Sequence, residues 1–117
     1  MRTKRTRLLA VRGAFHTPAM EPVMGPFREL LEQVEVRKPR IPVFSCVTAE
    51  PFDDVRLRLA QALAHPVRWL EVMRALAARG VGRFVEVGPG KVLTGLVRRS
   101  VDGVEAESLD AREPVRA

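Results

Sequence analysis

The segment Arg83-Phe84-Val85-Glu86-Val87-Gly88-Pro89-Gly90-Lys91-Val92-Leu93-Thr94-Gly95-Leu96 decides the fold class. Phe84, Val85 and Val87 are residue types that favour a pleated, half-buried surface, and residues 83–87 are predicted to form a strand. Gly88-Pro89-Gly90 then turns the chain, because glycine adopts backbone angles that other residues reach only at a cost. A last helix follows over about residues 92–99. A strand, a tight turn and a helix in direct succession point to an α/β arrangement.

The pattern extends upstream. A helix is predicted over residues 67–79, with Trp69, Leu70, Met73, Leu76 and Ala77 facing inward and Gly80 as its stop. His65-Pro66 separates it from an earlier helix, since the residue before proline is pushed out of helical geometry. That earlier helix is capped by Asp53 or Asp54 and lined on one face by Val55, Leu59 and Leu63. Residues 39–42 read as a turn and residues 43–47 as a buried strand. Nearer the N-terminus, residues 8–11 read as a short strand ended by Gly13. Thr17-Pro18 then opens a helix with apolar positions Met20, Met24, Phe27, Leu30, Leu31 and Val34. Gly25-Pro26 interrupts it, which predicts a kink or a helix proper that starts at Pro26. After Gly103 the pattern fades. The domain is therefore expected to span residues 1–109, followed by a loose tail over residues 110–117.

Bulk properties narrow the function classes. The 117 residues suffice for one domain or part of a larger one. With 46% hydrophobic residues the chain is not disordered throughout. No apolar run approaches the roughly 20 residues of a membrane span. The apolar stretch after the basic N-terminus is too short for a signal peptide, so a cytoplasmic location is expected. A single cysteine, Cys46, excludes an internal disulfide and any multi-cysteine zinc site. The net charge of +6 raises the question of nucleic acid. The arginines are dispersed, however, and tyrosine is absent, which removes the usual base-stacking platforms. An acidic protein partner or a phosphate-bearing ligand suits the charge equally well.

Among motifs, Gly88-Pro89-Gly90-Lys91 fails as a phosphate loop, which would need glycine at Val85 and serine or threonine at Val92. Cys46 reads as packing, Trp69, Met20 and Met24 as core, and His65 as a capping or surface histidine. His16 stands apart: it follows a strand and the small pair Gly13-Ala14, and precedes a helix start. Loops at that junction are where α/β proteins place their chemistry. Spacing alone leaves its role open between structural and catalytic.

Read as a string, Gly13-Ala14-Phe15-His16-Thr17-Pro18-Ala19-Met20-Glu21-Pro22 resembles the histidine motif of the malonyl-CoA:acyl-carrier-protein acyltransferases, the family of malonyl transacylases and polyketide acyltransferase domains. Three more segments are similar to that family in the same order: Ile41-Pro42-Val43-Phe44-Ser45-Cys46-Val47-Thr48-Ala49-Glu50, His65-Pro66-Val67-Arg68-Trp69, and the segment from Phe84 to Leu96.

The resemblance implies the C-terminal half of the acyltransferase catalytic subdomain, which is α/β-hydrolase-like, with the last strand of the small ferredoxin-like subdomain at the N-terminus. It implies transfer of a malonyl group from coenzyme A to acyl carrier protein through an acyl-serine, in fatty-acid or polyketide biosynthesis. His16 would be the general base, oriented by the backbone carbonyl of Ala62, and Phe15 would favour malonyl over the branched methylmalonyl group. Malonyl-CoA and phosphopantetheinyl acyl carrier protein would be the substrates, with no cofactor and no metal. The family's Gly-His-Ser-x-Gly nucleophile elbow is absent from these residues, as are its carboxylate-binding arginine and oxyanion donors. The chain is thus expected to be a fragment, inactive alone, whose missing N-terminal half lies upstream or on another chain. The alternative is a non-catalytic module that binds acyl carrier protein through Arg68, Arg98 and Arg99, or an inactive remnant. Neither version involves nucleic acid or a membrane.

Overall fold

The computed structural model describes residues 11–109. After a 3-10 turn, Pro18–Met20, come the helices α1 (Glu21–Glu32), α2 (Val55–Ala62) and α3 (Trp69–Ala78). Strand β1 (Arg83–Val87), helix α4 (Val92–Ser100) and strand β2 (Glu105–Leu109) complete the order. The two strands pair in parallel, from Arg83 opposite Glu105 to Val87 opposite Leu109. This is a small α/β unit.

The segment that opened the sequence reading forms as predicted, and one of its residues does more than pattern suggests. Glu86 lies on β1 with its carboxylate at the start of α4. It accepts the Thr94 N–H at 2.8 Å, the Thr94 hydroxyl at 2.7 Å and the Leu93 N–H at 3.2 Å. The first turn of a helix carries N–H groups without intrahelical partners, and a carboxylate supplies what they need. These contacts, with the Thr94 N–H foremost and its hydroxyl next, hold the Glu86 carboxyl below its ordinary value of 4.5. A carboxyl depressed on folding contributes stability that is present above its unfolded pKa and lost as pH falls through the folded one. The drop in melting temperature between about pH 7 and about pH 3 should therefore be smaller in Glu86→Gln than in the wild type. Equal drops would show that the cap contributes nothing to the pH dependence.

Strand β2 has no counterpart in the sequence prediction. Glu105-Ala106-Glu107-Ser108-Leu109 contains little of strand character, and its order comes from neighbours. The Arg98 guanidinium donates to the Ala106 carbonyl at 2.7 Å, and the Ser108 hydroxyl donates to the Gly90 carbonyl at 2.6 Å. Arg83 pairs with Glu107 across the two strands.

Several other expectations are corrected. Helix α1 runs through Pro26 without interruption. Gly25 lacks the Cβ that would clash with the proline ring, and that part of its surroundings is open, so the helix loses one hydrogen bond and continues. Residues 43–47 are not a strand. The chain folds back on itself in a tight loop, with one antiparallel bridge between Phe44 and Pro51 and a left-handed Ala49 at φ 59°. Pro51 has no N–H with which to extend that pairing.

Asp54 is the α2 cap, its Oδ1 accepting the Leu57 N–H at 2.9 Å, while Asp53 pairs with Arg58. The inward face of α2 carries the fully buried Ala60, continued beyond the helix by Ala64, whereas Leu59 is exposed. On α3 the buried pair is Val72 and Met73; Leu70, expected inside, is 40% exposed, and Trp69 is half-buried. No residue of α1 is buried: Met20 (just before it), Met24, Phe27 and Leu31 are half-covered, and Leu30 and Val34 are exposed. Gly80 ends α3 with φ 87°, its N–H donating to the Ala77 carbonyl and the Val81 N–H to the Leu76 carbonyl, the pattern of a left-handed stop. The strand expected at residues 8–11 lies outside the described residues save Val11, which is in no regular element, and the tail at residues 110–117 lies outside them as well.

Candidate active site

His16 sits in the bend before the 3-10 turn, and its backbone is unusual. Its φ of 62° is in the left-handed region, which side chains other than glycine enter at a cost of about 1–2 kcal/mol. Two contacts with the end of α2 hold it there. The His16 N–H donates to the Leu63 carbonyl at 2.8 Å, and Nδ1 lies 2.7 Å from the Ala62 carbonyl oxygen. The final carbonyls of a helix have no partners within it, so the C-terminus of α2 offers acceptors to a neighbour. A carbonyl can only accept. Nδ1 therefore carries the proton in this contact, and in the neutral ring Nε2 is the unprotonated nitrogen.

The bend has supports of its own. The Thr17 hydroxyl donates to the Ala14 carbonyl at 2.7 Å, and the Met20 N–H donates to the Thr17 carbonyl at 3.0 Å. Phe15 is 56% exposed and its ring folds back over Gly13, where a Cβ would lie 2.5 Å from the ring edge. Glycine at position 13 is what permits that placement.

The structure thus brings His16 and Ala62 together and sets Phe15 beside them in the chain. In the sequence Gly13 read as a strand end and Thr17 as a helix start, not as supports of this bend, and the Leu63 carbonyl had no mark at all. Only the rule that helix ends leave carbonyls unpaired could have pointed to Leu63. His65 binds the same helix end: its Nδ1 lies 2.8 Å from the Gln61 carbonyl. Cys46 is half-buried and desolvation pushes its thiol pKa up, away from the thiolate needed for attack. Arg68 is engaged with Glu71 and with the Val47 and Thr48 carbonyls, and Arg98 with Ala106. Among the described residues no cluster of three or more His, Cys, Asp or Glu is arranged to hold a metal, and no helix is long and apolar enough to cross a membrane.

The α/β unit that carries His16 is similar in sequence and in structure to known proteins. It is 40% identical over 94 residues to the polyketide biosynthesis protein ThaF of Burkholderia thailandensis, a match covering 79% of this chain and 8% of that protein. It is 38% identical over 99 residues to the malonyl CoA-acyl carrier protein transacylase of Bacillus subtilis, covering 82% of this chain and 31% of that protein. A solved structure of a malonyl-transacylase in complex with a type II polyketide synthase acyl-carrier protein superimposes with a TM-score of 0.82 at 35% identity, over 86% of this chain and 34% of that one. The chain belongs to the malonyl-CoA:acyl-carrier-protein acyltransferase family. It spans about a third of the length of the transacylases it matches. No family model matches the chain. Within this family the chain contributes a small α/β portion that includes a histidine locked in one tautomer.

Proposed function

We propose that His16 is the general base of a site that transfers a malonyl group from malonyl-CoA to the pantetheine thiol of acyl carrier protein, within fatty-acid or polyketide synthesis. The observation that carries this reading is the 2.7 Å contact between Nδ1 and the Ala62 carbonyl, which leaves Nε2 as a proton acceptor. Nε2 would take the proton of a serine hydroxyl as the serine attacks the thioester carbonyl. It would return that proton to the departing coenzyme A thiolate. In the second half-reaction it would deprotonate the carrier protein's thiol, which attacks the acyl-serine, and would pass that proton to the serine oxygen as it leaves. Ala62 would hold the tautomer and Phe15 would narrow the space beside the α-carbon of the acyl group, favouring malonyl. The reaction calls for no cofactor.

The sequence contains no Gly-His-Ser-x-Gly elbow, so the serine would come from residues beyond these 117, on the same chain or another. We place the described residues in the larger, α/β-hydrolase-like subdomain. A role as a carrier-protein module alone draws less support, because Arg68 and Arg98 are committed to contacts within the chain.

The purified chain incubated with radiolabelled malonyl-CoA should form no stable acyl-protein. Fusion to the serine-bearing upstream part of a transacylase relative should restore transfer to acyl carrier protein. Labelling of the chain alone, or a folded fusion without transfer, would overturn the reading.

A further inference from the structure

Arg56, on the first turn of α2, reaches across to the far end of α1. Its Nε donates to the Leu31 carbonyl at 2.9 Å and its Nη2 to the Val34 carbonyl at 2.7 Å, with the Glu32 carboxylate 3.7 Å away. Both carbonyls belong to the turn in which α1 ends. At the other end of α2, the Ala62 and Leu63 carbonyls hold His16, which leads into α1. The two helices are therefore tied at both ends, by arginine at one and by histidine at the other.

Apolar packing does little to fix their register. No residue of α1 is buried, and the only fully buried residue on α2 is the small Ala60. From Arg56 to Ala62 is six residues, about 9 Å of helix rise. A slide or rotation of α2 by one residue would carry the Ala62 carbonyl away from Nδ1. Directional hydrogen bonds must then set the register, and a planar guanidinium spanning two carbonyls does so in a way that a single-point ammonium cannot.

We infer that Arg56 is a positioning residue for His16: by clamping α2 to the end of α1 it keeps the Ala62 and Leu63 carbonyls under the histidine and so fixes its tautomer. The functional meaning of this rests on His16 being the base proposed above, but the inference itself concerns only which ring nitrogen carries the proton.

Histidine tautomers are distinguishable by 15N chemical shifts, and the chain has two histidines. His65 provides an internal control, because its Nδ1 binds the Gln61 carbonyl of the same helix end without bridging to α1. The experiment is a 15N-histidine spectrum of the full chain in mildly alkaline buffer, assigned with His65→Gln. The wild type should show a protonated Nδ1 on His16. In Arg56→Gln the His16 shifts should move toward the tautomer mixture of an unrestrained imidazole while those of His65 stay in place. Arg56→Lys should produce a smaller movement in the same direction. Unmoved His16 shifts in either folded variant overturn the inference. So does movement of both histidines together, which would mean that Arg56 holds α2 itself and not its register. A failed fusion assay would leave this result standing, and unmoved shifts would leave the acyl-transfer reading intact.

Discussion

In a fusion that supplies the serine, His16→Asn should lower kcat for malonyl transfer by about 10²–10⁴-fold, the range a positioned general base contributes, with KM for malonyl-CoA little changed. Asparagine is the informative replacement. It tolerates the left-handed conformation found at this position, and its side-chain amide can donate to the Ala62 carbonyl as Nδ1 does. What it lacks is a basic nitrogen. His16→Ala should lose the same activity and, in addition, about 1 kcal/mol of stability, since alanine has no such tolerance of positive φ. The measurements are steady-state transfer rates beside melting curves. If His16→Asn kept more than about a tenth of the wild-type rate, His16 would be a structural histidine after all.

The contrast between the two variants follows from the way the site is built. The fold spends its hydrogen bonds at the end of α2 on a residue in an unfavourable backbone region, anchoring both its main chain and its ring. Strain of this kind persists only where the surroundings over-determine it. Here they do so with four contacts: two to α2, one from the Thr17 hydroxyl to Ala14, and one from the Met20 N–H to Thr17.

Legibility in the sequence followed the range of the interactions. The β1–turn–α4 unit was readable because its pattern is local, and the Asp54 cap and Gly80 stop are local signals too. Strand β2 was not, since Arg83, Gly90 and Arg98 supply its order from outside the segment. The run 43–47 misled because buried strands and tight apolar loops share a composition; the left-handed Ala49 that turns the loop leaves no mark in residue type. At the site, local spacing reached His16 and no further. Ala62 was named through the family resemblance, and it lies 46 positions away. The Leu63 carbonyl and the Leu31 and Val34 carbonyls that Arg56 clamps are main-chain acceptors in distant segments, which almost any residue at those positions would supply. Side-chain patterns carry no record of such contacts.

The same distinction between pattern and packing predicts opposite outcomes for two α3 residues that helical spacing placed together on the inner face. Met73 is 2% exposed, whereas Leu70 is 40% exposed. Truncating a buried methionine removes the transfer free energy of its side chain and leaves a cavity that neighbours fill only in part, so Met73→Ala should cost about 2–5 kcal/mol. Leu70→Ala gives up only part of the area term and creates no enclosed void, which limits its cost to about 1 kcal/mol or less. Urea unfolding of the two variants side by side measures the difference, with unchanged m-values showing that both act on the native state. For a unit of this size about 1 kcal/mol shifts the melting temperature by roughly 4–8 °C, so the two substitutions should separate clearly in a thermal scan as well. Comparable losses from both would mean that the surface of α3 bearing Leu70 is covered in solution, either by another copy of this chain or by a partner. Repeating the Leu70→Ala measurement over a range of protein concentrations would tell these apart, because only self-association makes the loss depend on the concentration of this chain alone.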